Sequence, residues 1–520
     1  MLNYWWVTRP KRKLNSIPDV LAVFAESATQ NIWMGQRDSH LSLENALEKS
    51  GLKREGDRRD QTGGGGRTYK AWLVSLGLIF SQDSTKKLQL TLAGEAILNG
   101  ESPIKILTNQ ILKYQFPSAF SLERSVNVSP RFQIHPFWFL LKLLSDTRIQ
   151  YLTQEEIAKI IIVEAENESS KCYEKIVARI IEFRNFGNAC LEKDFIQKYT
   201  SSKGNVNFEN PYGHLQDIAN TIINWLEYTQ LTIREERKLR ILPERAEEVL
   251  KIISKPLPFI ARPDEHEFFQ RRYGLDTAHI KDTRNLLKTK TITDFMIAEM
   301  RVKKIFISMA LKQPIATINS NLIEKISEQS GIKMSVVTDI LQKNFPHGAI
   351  GAFMAEYFEM AFAGQSKCRD FEKTTANIFR EIFKFNSTWL GSASSGREVP
   401  DVLIVSDDAG FQAIIDTKAY SRYDLPTTHR DRMIYHYLPD IYNYSSSKLP
   451  LKFFSYIAGG FSNTIANPIN DIVQQTAING SAMPVTVFIK MAEKNSDSPY
   501  SHEEIKKIFS LNRQVNITEL

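Results

Sequence analysis

The segment Val399-Pro400-Asp401-Val402-Leu403-Ile404-Val405-Ser406-Asp407-Asp408-Ala409-Gly410-Phe411-Gln412-Ala413-Ile414-Ile415-Asp416-Thr417-Lys418 holds two apolar, β-rich runs on either side of the turn-formers from Ser406 to Gly410. That pattern predicts a β-hairpin. Successive side chains on a strand point to opposite faces, so Gln412, Ile414, Asp416 and Lys418 share one face and Phe411, Ala413 and Ile415 the other. A turn at Asp407 to Gly410 places Asp401, at the start of the partner strand, beside Asp416. Two carboxylates then converge with one ammonium group.

Such a cluster suits hydrolysis of a phosphodiester. Mg²⁺ is held by one or two carboxylates and keeps several of its waters. Asp401 and Asp416 are the candidate ligands. Lys418 is the candidate group to orient or deprotonate the attacking water, whose pKa a bound cation lowers. A plainer reading stands beside this one. Either acid could cap a turn while Lys418 stays in solvent, because short motifs recur by chance.

The residues around the hairpin extend the pattern. V-P-D at 399–401, followed by I-I-D-T-K-A-Y-S-R-Y-D-L-P through Pro426, resembles the cleavage domain of FokI-type type IIS restriction endonucleases, a PD-(D/E)xK nuclease domain with P-D, V-D-T-K-A-Y-S and Y-N-L-P. The likeness continues through a strand from Phe453 to the Gly459-Gly460 pair, a helix from Ile465 to Ala477, and Asn479-Gly480. Upstream, Phe371-Glu372 to Phe383 resembles the first helix of that domain. The resemblance implies catalytic roles for Asp401, Asp416 and Lys418. It also offers Glu372 as a further acid, although a solvated helix acid is the favoured alternative there. In that family an aspartate and an arginine on the helix after L-P support a transient homodimer of cleavage domains. Asp431 matches the aspartate, Tyr435 stands at the arginine position, and Arg432 is displaced toward the helix start. The remainder of Thr427 to Tyr444 reads equally well as an amphipathic packing helix.

Composition agrees without deciding anything. A chain of 520 residues with 42% hydrophobic content has length for several domains, and a net charge of +7 favours a polyanionic partner only mildly. Cys172, Cys190 and Cys368 lack metal-ligand spacing, so buried free thiols are expected. Met1 to Lys13 lacks the apolar core of a secretion signal, and no apolar run reaches ~18 residues, so neither export nor a membrane span is expected. The bacterial cytoplasm is the expected location.

Upstream, the same local order occurs twice. A helix from Arg67 to Phe80, a polar turn, a strand from Lys87 to Thr91 and a helix from Leu92 to Leu98 suggest a winged helix-turn-helix. The order returns in Ile218 to Leu231, Thr232 to Arg234, a turn at Glu235 to Lys238, Leu239 to Leu242 and Pro243 to Ile253. Winged helices also bind proteins, so the order alone does not specify DNA. The segments Tyr4-Trp5-Trp6-Val7-Thr8-Arg9-Pro10, L-T-L-A-G-E-A-I-L at 90–98, Gln110 to Ser118 and Ile134-His135-Pro136 are similar to the AlwI and BstNBI group of type IIS enzymes. That resemblance implies binding to a short asymmetric site in double-stranded DNA, cutting outside it, and a cognate DNA methyltransferase that protects the host.

Arg9, Lys11 and Arg12 are candidate phosphate contacts, with a solvated tail as the alternative. Arg54, Arg58, Arg59, Arg67 and Lys70 flank Gly63 to Gly66. Those glycines would permit close backbone approach and let arginines read guanine edges, with a floppy surface loop as the alternative.

The expected fold is α+β and multidomain: a mainly helical winged-helix recognition half, a helical linker, and a C-terminal α/β PD-(D/E)xK endonuclease domain. The divisions are 1–150, 151–255, 256–345 and 346–520. A strand-specific nicking enzyme is the nearest rival. A non-catalytic DNA-binding regulator is a second, opposed by the intact Asp401, Asp416 and Lys418.

Overall fold

The computed structural model describes every residue except 1, 30, 34, 56–60, 119–127, 202–208, 261–264, 287–292 and 392–398. The chain forms two compact units, Met1–Ser308 with Ile326–Ile340, and Met309–Lys325 with Leu341–Leu520.

In the first unit, helices Ile17–Ser27, Arg37–Lys49 and Gly64–Ser75 precede an antiparallel pair, β1 (Ile79–Ser81) and β2 (Leu88–Leu90). The helix predicted to reach Phe80 stops at Ser75. Gly77 adopts a positive φ of 67°, which an L side chain resists, and frees Ile79 to pair with Leu90. Thr91 then caps helix Leu92–Leu98 by accepting the Gly94 amide at 3.1 Å. The glycine run is no floppy loop. Gly63 is the left-handed cap and Gly64–Gly66 form the first turn of their helix. A Cβ on Gly66 would stand 2.4 Å from the His40 carbonyl, so these glycines let two helices approach.

A second helical group contains Pro136–Ser145, Ser170–Phe186 and Gly213–Tyr228, with a three-stranded sheet in the order β3 (Leu152–Thr153), β5 (Lys238–Ile241), β4 (Thr232–Glu235). The hairpin of β4 and β5 turns through Glu236 and Arg237, both at positive φ. The chain start straps onto this group. Trp5 donates its amide to Ile162 O and its indole N–H to Ala165 O, both at 2.8 Å.

The stretch expected as a helical linker is helical at His266–Tyr273, Asp294–Ala310, Ser320–Ser330 and Met334–Asn344. It is divided between the two units, and its first helix is part of the first unit's core. The buried Tyr273 hydroxyl donates to Ser75 O and Gln110 O, and Gln270 donates to Val74 O and Ile79 O. Burial of these polar groups is tolerated because each reaches a backbone carbonyl.

The second unit is built on a five-stranded sheet in the order β10 (Asn479–Pro484), β9 (Leu451–Ala458), β8 (Phe411–Lys418), β7 (Val402–Ser406), β6 (Asn386–Trp389). Strands β6, β7 and β8 pair antiparallel, and β8, β9 and β10 pair parallel. Both faces are covered. On one, Leu403, Ile414, Tyr456 and Ala482 pack with Met433, Tyr437 and Ile469. On the other, Phe411 and Phe453 meet Phe385 and Phe509, and helix Cys368–Glu381 adds Phe379. Burial on both faces explains why β7 reads as an unbroken apolar run from Val402 to Val405.

Candidate active site

The predicted hairpin forms. Val402 lies opposite Ile415 in the β7–β8 ladder, and one further step in that register sets Asp401 opposite Asp416. Leu390 donates its amide to Asp401 O at 2.9 Å, which fixes the backbone at the strand's start. Asp401 Oδ2 accepts from the Thr417 amide at 2.7 Å and from Thr417 Oγ1 at 3.0 Å. Lys418 Nζ lies 2.6 Å from Asp416 Oδ2 and 3.9 Å from Asp401 Oδ2. The three groups expected to converge therefore do.

Their electrostatics follow from burial. The Asp401 carboxyl is pushed well above the usual range, first by desolvation and then by the Asp416 charge. Burial alone would lower the Lys418 ammonium, but Asp416 and Asp401 outweigh it and raise the pKa. The ammonium form that these carboxylates favour can orient a water or stabilise negative charge. Asp416 Oδ1 is buried and has no hydrogen-bond partner among the described residues.

Glu372 sits on helix Cys368–Glu381 at the edge of this cluster, not in open solvent. Its Oε2 accepts from Trp389 Nε1 at 3.1 Å. Burial raises its pKa, and it feels the charges of Lys418 and Asp416. A Cβ on Gly391 would stand 2.6 Å from that oxygen, so the backbone passes close by. No group of three or more His, Cys, Asp or Glu side chains is arranged to hold a metal among the described residues. Asp401 and Asp416 remain a pair of hard oxygen donors.

Sequence reasoning missed several neighbours on the Asp416 face. Tyr456 is the register partner of Asp416 across β8 and β9. Tyr423 shares a 2.8 Å hydrogen bond with His429 Nδ1. Tyr437 is buried in the same cluster and feels Asp416, Lys418 and Asp401. The aromatic density of 420–444 was a signal, but their convergence depends on a parallel strand far along the chain.

The remaining candidates scatter. Tyr435 is exposed, and Asp431 Oδ1 lies 3.5 Å from Arg430 Nε, whose guanidinium also meets Asp471 at 3.1 Å. Arg432 is half-buried. Arg12 pairs with Asp217 at 2.6 Å. Burial lowers Arg9, with Asp217 opposing, and burial also lowers Lys11. Arg9 and Lys11 are therefore half-buried in a packed strap, while Arg12 stays exposed. Arg54 is exposed, Arg67 bonds Thr62 through both its carbonyl and hydroxyl, and Arg58 and Arg59 lie outside the described residues. Lys70 is buried at 6% exposure, so in this conformation it presents no open ammonium to a phosphate.

Comparison with known proteins gives two family matches. The AlwI restriction endonuclease family matches residues 74–348, more than half of the chain. The FokI cleavage domain matches residues 331–516. No curated protein matches. Among solved structures, the restriction endonuclease FokI is similar at 15% identity, covering 99% of this chain and 100% of its own, with a TM-score of 0.29. FokI bound to DNA gives 15%, 99% of each chain and 0.28. The BpuJ1 endonuclease binding domain, in complex with pyrene- and phenanthrene-modified DNA, gives 15% identity over 52% of this chain and 96% of its own, with a TM-score of 0.36.

Proposed function

Because the chain belongs to the AlwI restriction endonuclease family, we propose that it is a type IIS enzyme that binds a short asymmetric duplex site and hydrolyses DNA at a fixed distance outside it, with Mg²⁺ as cofactor. The observation that carries this reading is the convergence of Asp401, Asp416 and Lys418 at one end of β7 and β8.

Asp401 and Asp416 would hold the cation. The donor set fits, since both are carboxylates and Asp416 Oδ1 is a buried oxygen lacking a partner among the described residues. The chemistry supplied by bound Mg²⁺ is neutralisation of phosphate charge and acidification of a coordinated water. Lys418 would orient the attacking water toward phosphorus and stabilise charge on the phosphate. Thr417 holds Asp401 in place. The water gives up a proton as its oxygen bonds to phosphorus, one ester P–O bond breaks, and the departing oxygen takes up a proton, so none is gained or lost overall. Glu372, tied to Trp389, shapes the field around the pair.

Recognition is assigned to the first 255 residues, read as two winged-helix modules (1–150 and 151–255). Residues 256–345 connect them to the cleavage domain at 346–520. Arg54 and Arg67 remain candidate DNA contacts. A cognate methyltransferase acting on the same site completes the system, and the working location is the bacterial cytoplasm. No helix among the described residues is long and apolar enough to cross a membrane.

Strand-specific nicking is the second reading. It is favoured by Tyr435 standing where the family places an arginine and by the 3.5 Å approach of Asp431 to Arg430 within the chain. Incubation of supercoiled plasmid with protein and Mg²⁺ distinguishes the readings. Linear fragments support the double-strand enzyme, open circles alone support nicking, and unchanged plasmid overturns both.

A further inference from the structure

Helix Thr427–Arg432 passes directly into a π-turn, Met433–Tyr437, closed by a Leu438 amide bond to Met433 O at 3.1 Å. A π-turn adds a residue to one turn of the helix and re-aims the side chains that follow, and such turns recur at functional sites. Here it places Met433, Ile434 and Tyr437 in the core and leaves Tyr435 and His436 exposed. Tyr437 is only 6% exposed. Its ring packs in the cluster of Ile414, Tyr423 and Tyr456, on the sheet face that carries Asp416.

The hydroxyls on this face are not equivalent. Tyr423 bonds His429 Nδ1 at 2.8 Å, and Tyr456 donates to His429 O at 3.5 Å. Tyr444 donates to the Tyr437 carbonyl. The Tyr437 hydroxyl has no hydrogen bond within the described residues, yet it is not among the oxygens sealed from solvent. A buried tyrosine ordinarily finds a partner for its O–H. This one belongs to the buried cluster on the sheet face that carries Asp416, and its hydroxyl feels the charges of Asp416, Lys418 and Asp401.

We propose that Tyr437 is a catalytic residue of this site, its hydroxyl donating a hydrogen bond to a non-bridging oxygen of the scissile phosphodiester. The inference rests on the nuclease function proposed above. The π-turn is the device that turns the hydroxyl toward the substrate, and the phosphate supplies an acceptor that the hydroxyl lacks among the described residues. A donor aimed at a charged oxygen in a water-poor site contributes on the order of 10- to 100-fold in rate.

The test compares wild type, Lys418→Ala and Tyr437→Phe on supercoiled plasmid with enzyme in excess, with DNA binding measured in EDTA and thermal melting measured alongside. Phenylalanine preserves the packed ring and deletes a hydroxyl that has no hydrogen bond among the described residues, so folding is retained. The expected result is a single-turnover rate reduced about 10- to 100-fold for Tyr437→Phe, with binding and melting temperature as in wild type. A Tyr437→Phe rate equal to wild type overturns the inference while leaving the nuclease reading intact. A loss that tracks a lowered melting temperature or weakened binding overturns it too, since that marks a structural role. No cleavage by wild type overturns the nuclease reading and this inference with it.

Discussion

Thr417 is the residue whose side chain links the two halves of the site. Its amide and hydroxyl both hold Asp401 Oδ2, while its neighbours Asp416 and Lys418 supply the rest of the cluster. Thr417→Val keeps shape and backbone but removes one hydrogen bond to a buried carboxylate. The expected cost is about 1 to 2 kcal/mol in stability and a rate lower by about tenfold, from misplacement of Asp401. Urea unfolding and plasmid cleavage measure the two effects, and an unchanged rate would show that the backbone amide alone positions Asp401. At this scale the sequence was informative. Alternation along β8 put Asp416 and Lys418 on one face, and a turn of recognisable composition fixed the register with Asp401. The partners Trp389, Tyr437 and Tyr456 escaped notice because they come from separate elements.

At the scale of elements, local patterns were read where local chemistry governs. The β4–β5 hairpin and helix Leu92–Leu98 stand where they were expected, and β9, helix Ala466–Thr476 and β10 follow the order the resemblance implied. The parallel order β8-β9-β10 could not be read from pairing rules, because crossovers leave no turn signature. The glycine run was misread because its purpose is tertiary. Gly66→Ala tests that point. Alanine favours a helix by ~1 kcal/mol over glycine, but its Cβ would meet the His40 backbone carbonyl at 2.4 Å, and backbone cannot step aside cheaply. A net loss of about 2 kcal/mol is expected; a more stable variant would show that the two helices separate freely.

For the whole molecule, the N-terminal strap and helix His266–Tyr273 show how distant segments complete the first unit's core, which no window of sequence reveals. Acid sensitivity belongs to this scale. Asp146 is held at about 2 chiefly by the Arg148 guanidinium. Asp282 is also lowered to about 2, since bonds from Arg284 and Arg271 outweigh its burial. Both folded values lie below the ordinary aspartate value of 3.8, so their contribution is complete above pH ~4 and is lost as pH falls toward ~2. The urea midpoint should therefore drop across that window, and Asp282→Asn should flatten the drop. Association belongs here as well. If the exposed face around Tyr435 joins two cleavage domains, Asp431→Ala or Tyr435→Ala reduces linear product about tenfold with nicking retained; equal loss of both would assign that helix to packing alone.

The central claim is that Asp401, Asp416 and Lys418 form a Mg²⁺-dependent phosphodiesterase site. Its most direct measurement is plasmid cleavage by Asp416→Ala and Lys418→Ala against wild type across a Mg²⁺ titration, with DNA binding followed in parallel. Wild type should cleave only with Mg²⁺, each variant should lose about 10³-fold or more in rate, and DNA binding should be unchanged. Cleavage by either variant at the wild-type rate would contradict it.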